Sequence, residues 1–174
     1  TMMGTTIGPA TITVADQYAS NGLLQLVNNV LPALDNCWEF MTNNSQRTPV
    51  DAVRKLRKLG IEVTEGHIYT SAMATAKFLA SQIPKGTAYV LGEGGLLNSL
   101  HDSGLKLIDT EPDFVVLGEG RNFTLEMVQR AVDMILAGAK FITTNRDPSP
   151  KKEGWNNLGI AATTAMIEEA TGVK

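Results

Sequence analysis

From residue 48 onward, short apolar runs alternate with longer segments whose apolar residues recur at helical spacing. Such runs predict strands, and the periodic segments predict helices. The predicted strands are IEV (61–63), TAYVL (87–91), LKLID (105–109), DFVVL (113–117) and KFITTN (140–145), the last running into a loop. The predicted helices are VDAVRKLRKL (50–59), about 71–82, LLNSLHDSG (96–104, with its stop), TLEMVQRAVDMILAG (124–138) and GIAATTAMIEEATG (159–172). This alternation predicts an α/β fold, a layered and mostly parallel sheet with flanking helices.

The first of these helices has clear start and stop signals. Thr48 is a preferred N-cap residue, Pro49 suits the first helical position, and Asp51 completes a box-like start. Gly60 supplies the stop at the other end. The segment directly before this helix therefore lies at a strand-to-helix junction.

The first forty residues follow a different pattern. Residues 10–15, ATITVA, alternate with β-branched positions and predict a strand. Ser20, Asn21 and Gly22 predict a turn. The LLQLVNNVL segment, which ends at Pro32, predicts either a second strand or a short helix. The pattern changes near residue 41 and divides the chain into two parts.

Composition and charge exclude several classes of protein. The chain has 174 residues, 43% of them hydrophobic, which suits one globular domain or two small ones. A formal charge of -3 with scattered signs gives no nucleic-acid footprint, and no apolar run approaches the roughly 18 residues of a membrane span. The single Cys37 excludes an internal disulfide framework, and no signal peptide is visible. We therefore expect a cytoplasmic protein with no nucleic-acid or membrane partner.

The segment TNNSQRT, residues 42–48, is the strongest candidate for chemistry, and it is called the motif loop below. It follows an apolar approach that includes Phe40 and Met41 and leads directly into a helix. At such a junction, a Thr hydroxyl, Asn side-chain amides and backbone N–H groups converge on one anion. The motif loop therefore predicts phosphate binding.

The pentapeptide VLGEG occurs twice, at Val90–Gly94 and at Val116–Gly120, each time after an apolar strand. Two such loops at the same edge of one sheet would lie where α/β proteins bind ligands. Alternatively, the strand-to-helix turns simply need glycine. A dinucleotide fingerprint is excluded because Leu97 occupies the position of its third glycine.

Several segments, in order along the chain, resemble a known family. They are TNNSQRTPVDAVRKLRKLGIEV, IYTSAMATAKFL, AYVLGEGGL, PDFVVLGEGRNFTLEMVQRAVDMILAGAKFITTNRD and IEEATGVK. Together they resemble the NagD-like (class IIA) branch of the haloacid dehalogenase superfamily, whose members are mostly small-molecule phosphatases. The resemblance covers residues 42–174. It implies a partial phosphatase core at 42–68 and an α/β cap domain, which selects the substrate, at 69–174.

The resemblance also implies roles for individual residues. The motif loop corresponds to the family's second catalytic motif, so Thr42, Asn43 and Asn44 are implied phosphate contacts, with Thr42 donating through its hydroxyl. Asn145, Arg146 and Asp147 resemble the substrate-specificity loop of the cap. The alternative for these three residues is a capped turn built on Asn and Asp chemistry. The implied ligand is a small phosphorylated metabolite.

The family's chemistry needs groups that this sequence does not contain. An Asp nucleophile in a D-x-D-G motif attacks phosphorus, a Lys steadies the phosphoryl charge, and further Asp residues help to hold Mg²⁺. The chain has no D-x-D pattern, and it ends where the family's Lys and metal-binding acids should begin. We therefore expect a fragment of a phosphate-monoester hydrolase that is inactive alone. Mg²⁺ belongs to the complete family enzyme, and this chain is not expected to hold it.

Residues 10–34 resemble a second family, through the strand, the S-N-G turn and the V-L-P exit of ITVADQYASNGLLQLVNNVLPAL. This pattern resembles the closing segment of a fasciclin-like adhesion domain. Residues 1–41 would then be an N-terminal segment of different origin. The alternative function is accordingly a non-enzymatic binding or adhesion module.

Self-association is the last expectation. Caps of the resembled branch commonly dimerise, and a cap without its core should expose the strand ends at Val90, Leu91, Val116 and Leu117. Monomers rarely expose an apolar face of that kind, and a symmetric dimer is the commonest way to cover it. We therefore expect a homodimer through the cap.

Overall fold

The computed structural model describes residues 39–147 and 158–173, together with the backbone of short strands outside those ranges. In chain order the elements are β1 (Thr6–Ile7), β2 (Ala10–Ala19), β3 (Gly22–Val27), β4 (Phe40–Thr42), α1 (Pro49–Lys58), a 3₁₀ turn (Glu65–His67), β5 (Ile68–Thr70), α2 (Ser71–Gln82), β6 (Thr87–Leu91), α3 (Gly94–Asp102), β7 (Lys106–Leu107), β8 (Phe114–Leu117), α4 (Leu125–Leu136), β9 (Lys140–Thr143), β10 (Lys151–Lys152), β11 (Trp155–Asn156) and α5 (Ile160–Thr171).

The N-terminal strands form an antiparallel sheet in the order β1-β2-β3. The strand predicted at residues 10–15 is confirmed, and the next segment, for which strand and helix were both open, is a strand at Gly22–Val27. The rest of the predicted N-terminal segment 1–41, up to Trp38, lies outside the described residues. That includes residues 20–21 and 28–34 of the fasciclin-like pattern at 10–34.

The largest sheet described has four parallel strands in the order β7-β6-β8-β9. Because side chains alternate across a strand, β6 contributes to both faces. Tyr89 and Leu91 pack with helices α4 and α5, whereas Ala88 packs with α2 and α3. The sheet is therefore the middle layer between two pairs of helices, which confirms the predicted parallel α/β fold.

Helix α1 begins as predicted. The Thr48 hydroxyl accepts a hydrogen bond from Asp51 N at 3.3 Å, and Thr48 N donates to the Asp51 carboxylate at 3.1 Å. The Thr48 hydrogen bonds lower the pKa of the Asp51 carboxyl group below its ordinary value. At the other end, Gly60 has the left-handed backbone (φ 79°) that a helix stop requires. The direction of the motif loop into α1 is thus fixed at the cap.

The strand predicted at residues 61–63 is wrong, and the strand after α1 is instead β5 at Ile68–Thr70, which pairs in parallel with β4. The Arg57 guanidinium donates to the carbonyl oxygen of Val63 at 2.9 Å, so this backbone oxygen is bonded to a side chain and not to a neighbouring strand. The Val63 side chain is buried in a small cluster with Val53 and Ile68. Val63 is therefore apolar because it packs against α1, and not because it lies in a sheet.

The expectation that apolar strand ends are exposed is also wrong. Leu91, Val116 and Leu117 have no exposed surface, and Val90 is partly buried. The helical layers cover these side chains from both faces of the sheet. The argument for a dimer from uncovered strand ends is thereby removed.

Candidate functional site

The order of the four-stranded sheet places β6 and β8 side by side, although their connections leave in opposite directions. Strand β6 continues through α3 to β7 on one side, and β8 continues through α4 to β9 on the other. A crevice forms at such a switch point, outside the carboxyl ends of the strands. The VLGEG segments follow these two strands, so both lie at the same edge, as one of the two interpretations predicted.

The motif loop of this chain fills that crevice. Ser45 has no exposed surface, and its hydroxyl accepts a hydrogen bond from Glu119 N at 2.8 Å. The Thr144 hydroxyl, at the end of β9, lies 3.3 Å from the same oxygen. A Cβ atom at Gly118 would lie 3.0 Å from the Ser45 hydroxyl oxygen and 2.6 Å from a methyl carbon of Leu96. The second VLGEG segment therefore has glycine where the motif loop and α3 approach it.

The first VLGEG segment approaches the motif loop in a similar way. Gly95, directly after it, donates from its backbone N–H to the carbonyl oxygen of Gln46 at 2.9 Å. A Cβ atom at Gly95 would lie 2.5–2.8 Å from backbone atoms of Arg47. Among the described residues, the glycines with a left-handed backbone all lie elsewhere. Close approach of two backbones, rather than turn conformation, thus explains the glycine at position 95.

Three carboxylates at this edge accept hydrogen bonds from amide side chains of the motif loop. The Asn43 amide donates to Asp147 at 2.8 Å. Longer contacts join the Asn44 amide to Glu119 at 3.5 Å and the Gln46 amide to Glu93 at 3.4 Å. The acceptors Glu93, Glu119 and Asp147 follow β6, β8 and β9 respectively. Three strands of one sheet therefore each supply a carboxylate to the same short loop.

The structure brings together two of the segments singled out in the sequence. The Asn145 amide donates to the carbonyl oxygen of Asn43 at 2.9 Å, and the Ser71 hydroxyl donates to that oxygen at 2.7 Å. Asp147 contacts the Asn43 side chain, as described above. Arg146 points to a different neighbour, because its guanidinium pairs with Glu168 on α5. Two of the three residues predicted in the 145–147 loop thus contact the motif loop.

Thr42 lies at the end of β4, the strand that leads into the motif loop. Its hydroxyl oxygen accepts a hydrogen bond from Asn44 N at 3.2 Å. A hydroxyl that accepts still has its own proton to donate. The geometry of Thr42 is therefore compatible with the predicted donation to an anion.

The surroundings of Glu119 shift the pKa of its carboxyl group. Burial raises the pKa of the Glu119 carboxyl group above its ordinary value, and the charges of Asp147 and Glu93 raise it further. A hydrogen bond from Asn145 opposes these effects. Ser45, Glu93 and Glu119 were not predicted as site residues. The available signal was that Ser45 belongs to the motif loop and that the two glutamates belong to the repeated pentapeptide.

Known proteins are similar to this chain in sequence and in structure. A family model described as "Haloacid dehalogenase-like hydrolase" matches residues 24–106. A dihydroxyacetone phosphatase of Corynebacterium glutamicum (strain R) is 46% identical over 142 residues, which cover 80% of this chain and 52% of that protein. An acid sugar phosphatase of Staphylococcus epidermidis is 38% identical over 150 residues, covering 86% of this chain and 56% of the relative. The chain spans about half the length of the curated relatives it matches.

Solved structures agree with the sequence matches. The structure of NagD from Escherichia coli K-12 has a TM-score of 0.71 and 34% sequence identity, and the match covers 79% of this chain and 53% of NagD. The family model, the relatives and the solved structures together support a haloacid dehalogenase-like hydrolase of the NagD-like branch.

The comparisons give no support to the fasciclin-like alternative. The family model begins to match at residue 24, inside the 10–34 segment on which that alternative depended. The relatedness to the phosphatase family therefore extends further toward the N-terminus than the Thr42 boundary predicted from the sequence.

Phosphatases of this family are generally Mg²⁺-dependent. Within the described part of the chain, no group of three or more His, Cys, Asp or Glu side chains is placed to hold a metal ion. Glu93, Glu119 and Asp147 each accept a hydrogen bond from a different motif-loop amide, and the three do not form such a group. In the same described ranges, no helix is long and apolar enough to cross a bilayer.

Proposed function

We propose that this chain forms the phosphate-recognition part of a phosphate-monoester phosphatase. Thr42, Asn43 and Asn44 bind the phosphate, and Asn145, Arg146 and Asp147 form the loop that selects the rest of the substrate. One observation carries the proposal: the predicted phosphate-binding segment and the predicted specificity loop meet at Asn43, which is bonded to Asn145 at 2.9 Å and to Asp147 at 2.8 Å.

The proposed roles follow from the chemistry of these side chains. The Thr42 hydroxyl and the two asparagine amides are neutral donors, which suit a phosphate that already carries negative charge. Helix α1 begins six residues after Asn43 and directs its N-terminus toward the end of the motif loop. Aligned peptide dipoles make such a terminus favourable for an anion.

Turnover requires a nucleophile that the sequence of this chain does not supply. The family's covalent route needs an Asp in a D-x-D pattern, and no such pattern occurs among the eight aspartates. The carboxylates at the site already accept hydrogen bonds from the motif loop. We therefore propose that this chain alone binds phosphate but does not hydrolyse phosphate esters.

The proposed substrate is a small phosphorylated metabolite. The names of the relatives, a dihydroxyacetone phosphatase and acid sugar phosphatases, support this class. We also propose a division into a partial core at 42–68 and a cap at 69–174. A homodimer through the cap is proposed from the family resemblance alone, because the strand ends expected to need a cover are buried. A cytoplasmic location is proposed from the single cysteine in the chain.

A phosphate titration of the full chain tests this function. We expect Thr42→Val to weaken binding of inorganic phosphate about tenfold, because a hydrogen bond to a charged group contributes about 1.5–3 kcal/mol. Thr110→Val is the matched control, since Thr110 is exposed in the loop between β7 and β8. Isothermal titration calorimetry measures both affinities, and equal losses in the two variants would contradict the proposed site.

An activity assay tests the second part of the proposal. With p-nitrophenyl phosphate and Mg²⁺, we expect no turnover above background from the purified chain, because a covalent mechanism without its nucleophile loses several orders of magnitude in rate. Turnover that rises with Mg²⁺ and persists through further purification would contradict this expectation. The result would leave the phosphate titration to decide the binding role independently.

A further inference from the structure

The amide side chains proposed to bind phosphate are already engaged in the structure. The Asn43 amide donates to the Asp147 carboxylate at 2.8 Å, and the Asn44 amide lies 3.5 Å from the Glu119 carboxylate. A carboxylate oxygen and a phosphate oxygen are acceptors of the same kind, and both are charged. The N–H that donates to the carboxylate is therefore not available to a phosphate, although each amide keeps a second N–H.

The motif loop itself is held independently of these contacts. Ser45 is completely buried, and the backbones of Gln46 and Gly95 are joined by a hydrogen bond of 2.9 Å. The loop backbone thus stays in the crevice when a side-chain contact above it changes. Only the acceptor of the hydrogen bond that the Asn43 side-chain amide donates changes.

We propose that Asp147 is an autoinhibitory residue, whose carboxylate occupies one N–H of the Asn43 amide and must be displaced before phosphate binds to that N–H. This inference rests on the proposed phosphate-binding role of the motif loop. The displaced contact lies between the motif loop and the 145–147 loop. Phosphate binding therefore changes how these two loops are joined.

Asp147 is better suited to this role than the other two carboxylates. Its contact with the loop is the shortest of the three, at 2.8 Å against 3.4 and 3.5 Å. Asp147 is exposed, so its carboxylate can move into water without loss of packing. Asn145 remains attached to the carbonyl oxygen of Asn43, which keeps the 145–147 loop beside the site when Asp147 leaves.

The test is the affinity of the full chain for inorganic phosphate, measured by isothermal titration calorimetry. We expect Asp147→Ala to bind phosphate about tenfold more tightly than the unchanged chain, because the competing acceptor is removed. Asp147→Asn keeps an acceptor without charge and should give a smaller gain. Asp133→Ala is the matched control, since Asp133 is also exposed and also accepts from an amide, that of Gln129, at 2.9 Å. It should leave the affinity unchanged.

Measurements at high salt distinguish displacement of the Asp147–Asn43 contact from general charge repulsion between Asp147 and phosphate. Long-range repulsion between exposed charges is largely screened at high ionic strength, whereas a direct contact is not. The difference in affinity between Asp147→Ala and Asp147→Asn should therefore persist in about 0.5 M salt, roughly three times the physiological ionic strength. Equal gains in both variants that vanish at this salt concentration would overturn the inference and identify simple repulsion.

The remaining outcomes distinguish this inference from the proposed function. If the unchanged chain binds phosphate, Thr42→Val weakens binding and Asp147→Ala has no effect, the autoinhibitory role is overturned and the binding role stands. If neither the unchanged chain nor Asp147→Ala binds phosphate, both are overturned. Circular dichroism of each variant, with Asp147→Asn as the conservative change, shows that the comparison is made between folded chains.

Discussion

The two VLGEG segments have identical sequences but different tasks. In the first, the Glu93 carboxylate accepts from Arg121 N at 3.0 Å and lies 3.4 Å from the Gln46 amide. In the second, the backbone N–H of Glu119 donates to the buried Ser45 hydroxyl at 2.8 Å. The first segment therefore contacts the motif loop through its glutamate side chain, whereas the second contacts it through both its backbone and its glutamate side chain.

This difference follows from the order of the sheet rather than from the segments. Strand β8 lies between β6 and β9, so the end of β8 faces loops from both neighbours. The Glu119 carboxyl group is accordingly surrounded by Asp147 on one side and Glu93 on the other, and its pKa is raised. The same five residues at the end of β6 have a different set of neighbours. A repeated motif thus acquires its role from the strand beside it.

The largest expected effect comes from Gly95→Ala, next to the first segment. The new Cβ atom would lie 2.5–2.8 Å from backbone atoms of Arg47, which cannot turn aside as a side chain can. We expect a loss of about 3 kcal/mol in the free energy of unfolding. Urea denaturation measures it. Gly94→Ala is the matched control, because its Cβ meets nothing within 4 Å, and it should be neutral or stabilising by up to about 1 kcal/mol.

Ser45→Ala is expected to have the next largest effect, and it acts on the second segment. Removal of the hydroxyl leaves the Glu119 backbone N–H without its acceptor in a buried place, which costs about 2 kcal/mol. Ser99→Ala is the control, because the buried Ser99 hydroxyl donates to a helical carbonyl oxygen at 2.8 Å. That carbonyl keeps its helix partner, so the loss should stay below about 1 kcal/mol. Equal losses in urea denaturation would contradict the backbone role of the second segment.

Gly118→Ala and Gly92→Ala together compare the glycines at the same position of the two VLGEG segments. A Cβ atom at Gly118 would lie 2.6 Å from a methyl carbon of Leu96, whereas a Cβ atom at Gly92 would lie 3.0 Å from the same carbon. Leu96 is a flexible side chain, so we expect about 1.5 kcal/mol for Gly118→Ala and less for Gly92→Ala. Thermal unfolding of both variants checks the order. A larger loss for Gly92→Ala would show that the first segment is the more tightly packed one.

Glu119→Gln is expected to have the smallest effect, and its sign depends on pH. The native chain holds the Glu119 proton more tightly than the unfolded chain, since its pKa is raised. Native stability therefore falls as the pH rises from the ordinary pKa of a glutamate toward the raised value. The glutamine variant lacks this loss, so its advantage over the unchanged chain should grow from pH 4 to pH 7. Denaturation at a series of pH values measures it, and a difference that does not vary with pH would contradict the shift.

Much of the fold follows from local signals. The alternation of apolar runs and periodic segments locates β6, β8, β9 and the five helices, and capping residues such as Thr48 and Thr124 mark where helices begin. These signals are local because hydrogen bonds at a helix end involve residues only a few positions apart. The strand predicted at 61–63 is absent. The carbonyl oxygen of Val63 accepts from the Arg57 side chain, a contact that a pattern of apolar residues does not indicate.

The site was less accessible from sequence. Thr42, Asn43 and Asn44 were selected from their strand-to-helix junction and then through a resemblance, whereas the 145–147 loop was selected through the resemblance, and their role in binding remains a prediction. The contact between Ser45 and Glu119 could not be predicted, because it joins residues 74 positions apart and depends on which strands are neighbours. Sheet order is set by the packing of the whole domain, which no local pattern specifies.

The buried position of Ser45 has a consequence for inhibitors. A compound directed at the crevice between β6 and β8 must compete with a segment that is covalently attached to the same chain. Such a tethered competitor acts at an effective concentration of about millimolar or more, whatever the dilution of the protein. Screening at low protein concentration therefore gives no advantage at this crevice. Ligands that bind over the motif loop avoid this buried segment and instead compete with the Asp147 carboxylate, which accepts from the exposed Asn43 amide.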